Sequence, residues 1–231
     1  MPATKPTKST VPILESGDRL SRPEFERRYC AMPQVKKAEL IEGVVYVASP
    51  LRYRRHGEPH GFIMGWLAIY AAATPGVGLA DNTTVRLDLD NEPQPDALLR
   101  IDEALGGQSR ISEDDYVEGA PELIVEIASS SASYDLHDKL KAYRRNGVQE
   151  YIVWQMAEGK LNWFSWQAGE YILLTPDERG VIHSRLFPGL DLHVLALLAG
   201  ELATVLAEVQ KGVTTAAHRA FVESLARRRF V

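Results

Sequence analysis

Apolar and polar positions along the chain predict an alternating series of strands and helices. Ser21-Arg22-Pro23-Glu24 reads as a helix start, with Ser at the cap, Pro in the first turn and Glu three residues on. That helix should run to about Ala31, before Pro33. Two short apolar runs, 37–41 and 44–47, flank Glu42-Gly43 and predict a hairpin closed by Pro50. Arg52, Arg54 and Arg55 form a small basic loop before His56. Residues 62–73 are apolar nearly all round and predict a buried helix ended by Pro75-Gly76. Residues 83–89 alternate like a strand, 90–93 form a turn, and 96–101 form a second strand. The polar excursion from Gly106 to Gly119 has room for a small hairpin.

Residues 123–128 are a continuous apolar strand interrupted by one acid, Glu126. A serine-rich turn at 129–133 leads into a helix over 134–146, stopped by Gly147. Strands are expected at 150–154, 161–166 and 170–174, with Phe187-Pro188-Gly189-Leu190 ending the β region. Helices follow at 194–210 and 215–229. The class is α/β or α+β. The expected organisation is a flexible tail over 1–20, one domain over 21–200, and a C-terminal helical extension over 201–231 packed on that domain.

Composition narrows the setting. A single cysteine, Cys30, excludes an intrachain disulfide and a cysteine-based metal knuckle, which fits a reducing compartment. The first ten residues lack the apolar core of a signal peptide, and no apolar run is long enough to span a bilayer. A cytoplasmic protein with no membrane partner is expected. The net charge of −5 argues mildly against a surface coated in nucleic acid. It leaves a nuclease open, because a metal site concentrates acids and the metal restores positive charge.

The sharpest chemical signal is Glu126, a carboxylate among residues that favour burial. An unpaired buried charge is very unfavourable, so Glu126 must be paired, protonated or metal-bound, unless its side chain points outward. Asp96 begins a second strand after Pro95; alone it reads as a turn residue. Strands brought side by side could place the two acids together, and such a pair needs a cation or a shared proton. In the helix after Glu126, Leu136, Leu140 and Tyr143 define one face, and Lys139 lies on it, either awaited by an acid or with its stem along the core and its head in solvent. An acid, an acid and an inward lysine make a coherent phosphodiesterase site, with hard oxygen ligands suited to Mg²⁺ or Mn²⁺. His56 and His60, four apart, make only a weak zinc signal. Glu39 and Glu42 flank the hairpin turn, where an exposed acid is the commoner case. Trp154, Trp163, Phe164 and Trp166 suggest core or a dimer surface, ahead of base stacking.

Taken together, Glu39-Leu40-Ile41-Glu42-Gly43, Arg55-His56-Gly57, Gln94-Pro95-Asp96, residues 121–126, residues 139–143 with 147–151, and Phe187-Pro188-Gly189-Leu190 resemble the Uma-type restriction endonuclease family of the PD-(D/E)xK superfamily. The resemblance covers about residues 39–198. It implies a restriction-endonuclease-like core, a central mixed sheet flanked by helices. It also implies Asp96 and Glu126 as metal ligands, Lys139 as the catalytic lysine, and roles for Glu39 and His56. One departure stands out: two residues after Glu126 is Ala128, where the superfamily carries its lysine. The lysine would then come from the following helix.

The leading expectation is a Mg²⁺-dependent endonuclease acting on DNA, as a homodimer. The alternative is a catalytically silent nuclease-fold protein that binds nucleic acid or a protein partner. A third is a β-rich interaction protein whose acids form structural ion pairs.

Overall fold

The computed structural model describes residues 11–129 and 132–228. Helix α1 (Arg22–Cys30) starts with Pro in its first turn and buries only Phe25. Its solvent side is laced by Glu24, which binds Arg27 at 2.7 Å and Arg28 at 2.6 Å. Strands β1 (Ala38–Ile41) and β2 (Val44–Val47) form the expected hairpin. Its two-residue turn places Glu42 and Gly43 at φ 51° and 72°, the left-handed pair that matches strand twist. The basic stretch is not simply a loop: Tyr53–Gly57 form a π-helical turn that runs straight into α2 (Glu58–Ala73).

Strands β3 (Val77–Asp81), β4 (Val85–Arg86) and β5 (Ala97–Ile101) follow, then β6 (Arg110–Ile111), β7 (Val117–Glu118) and β8 (Leu123–Ala128). Next come α3 (Ala132–Tyr134), a second π-helical segment (Asp135–Lys139) and α4 (Leu140–Asn146), closed by Gly147 at φ 80°. Strands β9 (Glu150–Gln155), β10 (Lys160–Gln167), β11 (Glu170–Leu173), β12 (Val181–His183) and β13 (Asp191–His193) precede α5 (Val194–Leu198), α6 (Leu202–Gly212) and α7 (Ala216–Arg228).

The main sheet has six strands in the order β11-β10-β9-β8-β5-β3. Only β8 and β9 run parallel, and the helical connection between them carries Lys139. Strand alternation sorts the core into two faces. Leu123, Val125 and Ile127 join Trp66, Tyr70, Trp163, Val205 and Leu225 on one face. Ile124 and Ala128 join Tyr143, Val148, Tyr151 and Val153 on the other, and Glu126 shares their side of the strand. This is a mixed α/β architecture with a central mixed sheet flanked by helices.

Several expectations are corrected. The strand expected over 83–89 shrinks to β4, because the segment pairs only briefly with β7 in a three-stranded side sheet. On its outer side β5 pairs instead with β3, which Gly78 hid; an edge strand pairing on one side tolerates that glycine. The β region continues past Phe187 into β13. The single helix expected over 194–210 is split into α5 and α6 by Gly200 at φ 78°. Residues 1–10 of the expected tail lie outside the described residues, as do Ser130, Ser131 and Arg229. From Leu14 onward the chain is not a free tail: Leu14 is buried with Phe25, Leu40 and Val45, and Gly17 N–H donates to Val45 O at 2.8 Å. Of the two roles expected for Trp154 and Trp163, core or dimer surface, both take the core one. Among the described residues, no helix is long and apolar enough to cross a membrane.

Candidate active site

Ala97 faces Val125 across the β5–β8 ladder, and continuing that register by one residue sets Asp96 opposite Glu126. Both residues are 3% exposed. Asp96 is anchored by the Ile127 N–H, which donates to its Oδ2 at 2.8 Å. Its Oδ1 lies 3.3 Å from Lys37 Nζ and 3.4 Å from His56 Nε2. His60 approaches from the same helix entry, with Nε2 2.9 Å from the Asp96 carbonyl oxygen. Burial lowers the His56 pKa despite the nearby Asp96 carboxylate, so the imidazole is held neutral.

Glu126 faces the helical connection. Lys139 Nζ donates to its Oε1 at 2.8 Å, and Tyr143 OH donates to the same oxygen at 2.8 Å. The ammonium also donates to Glu39 Oε1 at 2.9 Å and lies 3.8 Å from Asp135 Oδ1. Glu39 is held in turn by the Gln94 N–H at 2.7 Å. This carries the first hairpin onto the segment leading into β5, where Leu40 and Glu92 also bridge through their backbones.

The charges do not balance. Glu39, Asp96, Glu126 and Asp135 gather around Lys37 and Lys139. Burial, then the neighbouring Asp96 and Glu39, push the Glu126 pKa up to about 8, although Lys139 pulls it down. Burial disfavours the Lys139 ammonium, but Glu126, Glu39 and Asp135 outweigh it and hold the lysine charged. The Glu126 shift comes first from burial, whereas the Lys139 shift comes from the surrounding acids overcoming burial. Among the described residues, no three His, Cys, Asp or Glu side chains are grouped to hold a metal by themselves. A hard divalent ion needs less from the protein: Mg²⁺ commonly takes one or two carboxylates and fills its shell with water and substrate oxygens. Two carboxylates from adjacent strands, in an acid-rich cluster, fit that requirement.

These groups line one cavity of about 420 Å³, together with Tyr134 and Ile127 and with Arg52 and Arg55 at its mouth. The buried Tyr134 hydroxyl has no hydrogen-bond partner among the described residues, leaving a free donor against that space.

Asp96, Glu126, Lys139, Glu39 and His56 therefore come together in the structure. Glu42 does not: it points away and pairs with Lys141 and Arg145. Sequence reasoning missed Lys37, although its place two residues before Glu39 puts both on one side of an extended chain. It treated Tyr143 as packing alone.

No curated protein matches the chain. A crystal structure described as a putative nuclease belonging to DUF820, from Anabaena variabilis ATCC 29413, is similar in fold. Its TM-score is 0.54 at 11% identity, over 79% of this chain and 97% of that one. A model of the Uma2 family, described as "Putative restriction endonuclease", matches residues 22–196. That span takes in every residue that lines the cavity, and the chain belongs to this family.

Proposed function

We propose that this protein is an endonuclease that hydrolyses DNA phosphodiester bonds, with Asp96 and Glu126 holding a Mg²⁺ or Mn²⁺ ion and Lys139 as the catalytic lysine. The observation that carries this reading is the meeting of Asp96, Glu126 and Lys139 in one cavity. When bound, the ion would supply Lewis-acid stabilisation of phosphate charge and a more acidic water. The chain's own groups have distinct tasks. Lys139 stays protonated, so it acts as a donor that orients the attacking water and balances charge developing on phosphate, not as a base. Tyr143 and Glu39 fix that ammonium and its Glu126 partner in place. His56, neutral and buried, steadies Asp96.

A second reading is a nuclease-fold protein that binds without cutting. The contact between Lys37 and Asp96 Oδ1 favours it, since an ammonium there competes with a cation.

Calorimetric titration of Mn²⁺ into wild type and Glu126→Ala, beside plasmid nicking in Mg²⁺, separates the two readings. Nicking should vanish in Asp96→Ala, Glu126→Ala and Lys139→Ala, and the metal isotherm should flatten in Glu126→Ala. A wild type that takes up no divalent ion, in a preparation whose nicking ignores all three substitutions, would leave the catalytic reading without support.

A further inference from the structure

The mouth of the cavity has a chemistry opposite to its floor. Residues 48–55 are all exposed, and they read Ala-Ser-Pro-Leu-Arg-Tyr-Arg-Arg, with three arginines and no acid. Several arginines elsewhere are matched to carboxylates, Arg27 and Arg28 to Glu24, Arg86 to Glu26 and Asp114, Arg145 to Glu42 and Asp88. Among the described residues, Arg52, Arg54 and Arg55 form no such ion pair. In a chain of net charge −5, three unpaired guanidiniums beside one cavity make a local reversal of sign.

Two large side chains are interleaved with them. Leu51 is 62% exposed and Tyr53 is 72% exposed, the latter the most exposed large hydrophobic side chain among the described residues. Among the described residues, the Tyr53 side chain makes one hydrogen bond, a long 3.4 Å contact from its hydroxyl to Glu58. The segment is nonetheless anchored at its end. His56 N–H donates to Arg52 O at 2.9 Å within the π turn, and the His56 ring reaches Asp96. His56 thereby ties this segment to the acid floor of the cavity.

We infer that residues 51–55 form a grip for single-stranded DNA: Arg52 and Arg55 hold phosphates at the cavity mouth, and Tyr53, flanked by Leu51, stacks on an unpaired base. The inference rests on the nuclease reading and names its substrate class. A duplex keeps its base faces stacked inward and offers Tyr53 nothing flat to cover, whereas an unpaired strand does. The acids are almost fully buried, so a phosphate must be fed into the cavity. A flexible single strand does this freely, but a duplex with a persistence length of about 50 nm must first be deformed.

Fluorescence anisotropy in EDTA tests the grip apart from cutting, with a labelled 20-nucleotide single strand and the same sequence as duplex. The single strand should bind about tenfold or more tightly than the duplex. Tyr53→Ala should weaken single-strand binding about fivefold or more, Tyr53→Phe should keep it, and Arg52→Ala with Arg55→Ala should flatten the salt dependence by about 0.7 per lost phosphate contact. These positions are exposed, and circular dichroism confirms that each variant is folded. Equal affinity for both DNAs, or a Tyr53→Ala protein that binds the single strand like wild type, overturns the inference. A protein that grips single strands in EDTA but never cuts in Mg²⁺ upholds the grip and sinks the nuclease reading instead.

Discussion

Glu126 and Glu150 are two glutamates on neighbouring parallel strands, both buried, and their surroundings differ in kind. Glu150 is saturated by neutral donors: Trp163 Nε1 at 3.1 Å, Ser184 Oγ at 2.8 Å, and the Arg185 and Leu186 N–H groups at 2.7 and 3.2 Å. It staples β9 to the segment before β13, and it does not line the cavity that holds Glu126. Glu126 shares one oxygen between Lys139 and Tyr143, faces a second carboxylate across the ladder, and lines a cavity. Burial raises the pKa of both. A perturbed pKa therefore does not separate scaffold from site; the separation comes from what each acid meets.

Paired substitutions break or sharpen this contrast. Glu126→Gln should cut the cleavage rate by about 10²- to 10⁴-fold with little loss of stability, because Glu39 and Asp135 still neutralise Lys139. Glu150→Gln should do the reverse. It turns an amide toward donors that need an acceptor, costing about 2–4 kcal/mol in urea melts and leaving the rate per folded molecule unchanged. If both variants lose activity and stability alike, the two acids are not different in kind.

Glu92 tests the idea at a third buried glutamate. Burial, then a hydrogen bond and repulsion from Glu26, push its pKa up to about 8, and its Oε2 has no partner among the described residues. A carboxyl with a raised native pKa favours the folded state while protonated, so stability should fall as pH rises from about 4.5 to about 8. Glu92→Gln should remove that slope, gaining about 1–3 kcal/mol at pH 8 and little at pH 4. A gain that is the same at both pH values would mean that Glu92 ionises normally. The smallest effect is expected from Tyr143→Phe. Loss of one donor to Glu126 should cost about 0.5–1.5 kcal/mol and slow cleavage by about tenfold, read from urea melts and single-turnover rates.

The central strands β8, β9 and β10 were legible because strands buried on both faces read as apolar runs. Edge strand β3 was not, since Gly76 and Gly78 around its start resemble a turn and its partner lies on one side only. Glu126 was legible as an acid in apolar company, whereas Asp96 alone reads as a turn residue and gains meaning only beside Glu126. Lys139 was found by a regular helical spacing that the chain does not keep. The π-helical segment Asp135–Lys139 widens the turn, so Leu136 and Leu140 are half-buried while Lys139 and Tyr143 are fully buried. Local pattern carries no information on which distant groups will meet. That is why Lys37 went unnoticed and why Glu39 could not be told from its half-buried neighbour Glu42.

The bond between Glu39 and Lys139 joins positions 100 residues apart. The sheet strands around Glu126 and the helix carrying Lys139 are close neighbours in sequence, whereas the hairpin bearing Lys37 and Glu39 must dock from far away. A newly made chain whose hairpin is still loose would have its acids and lysine but only part of the cavity wall. On the proposed nuclease reading, competence to cut would require that docking, because Lys37 and Glu39 complete the cavity around Asp96 and Lys139.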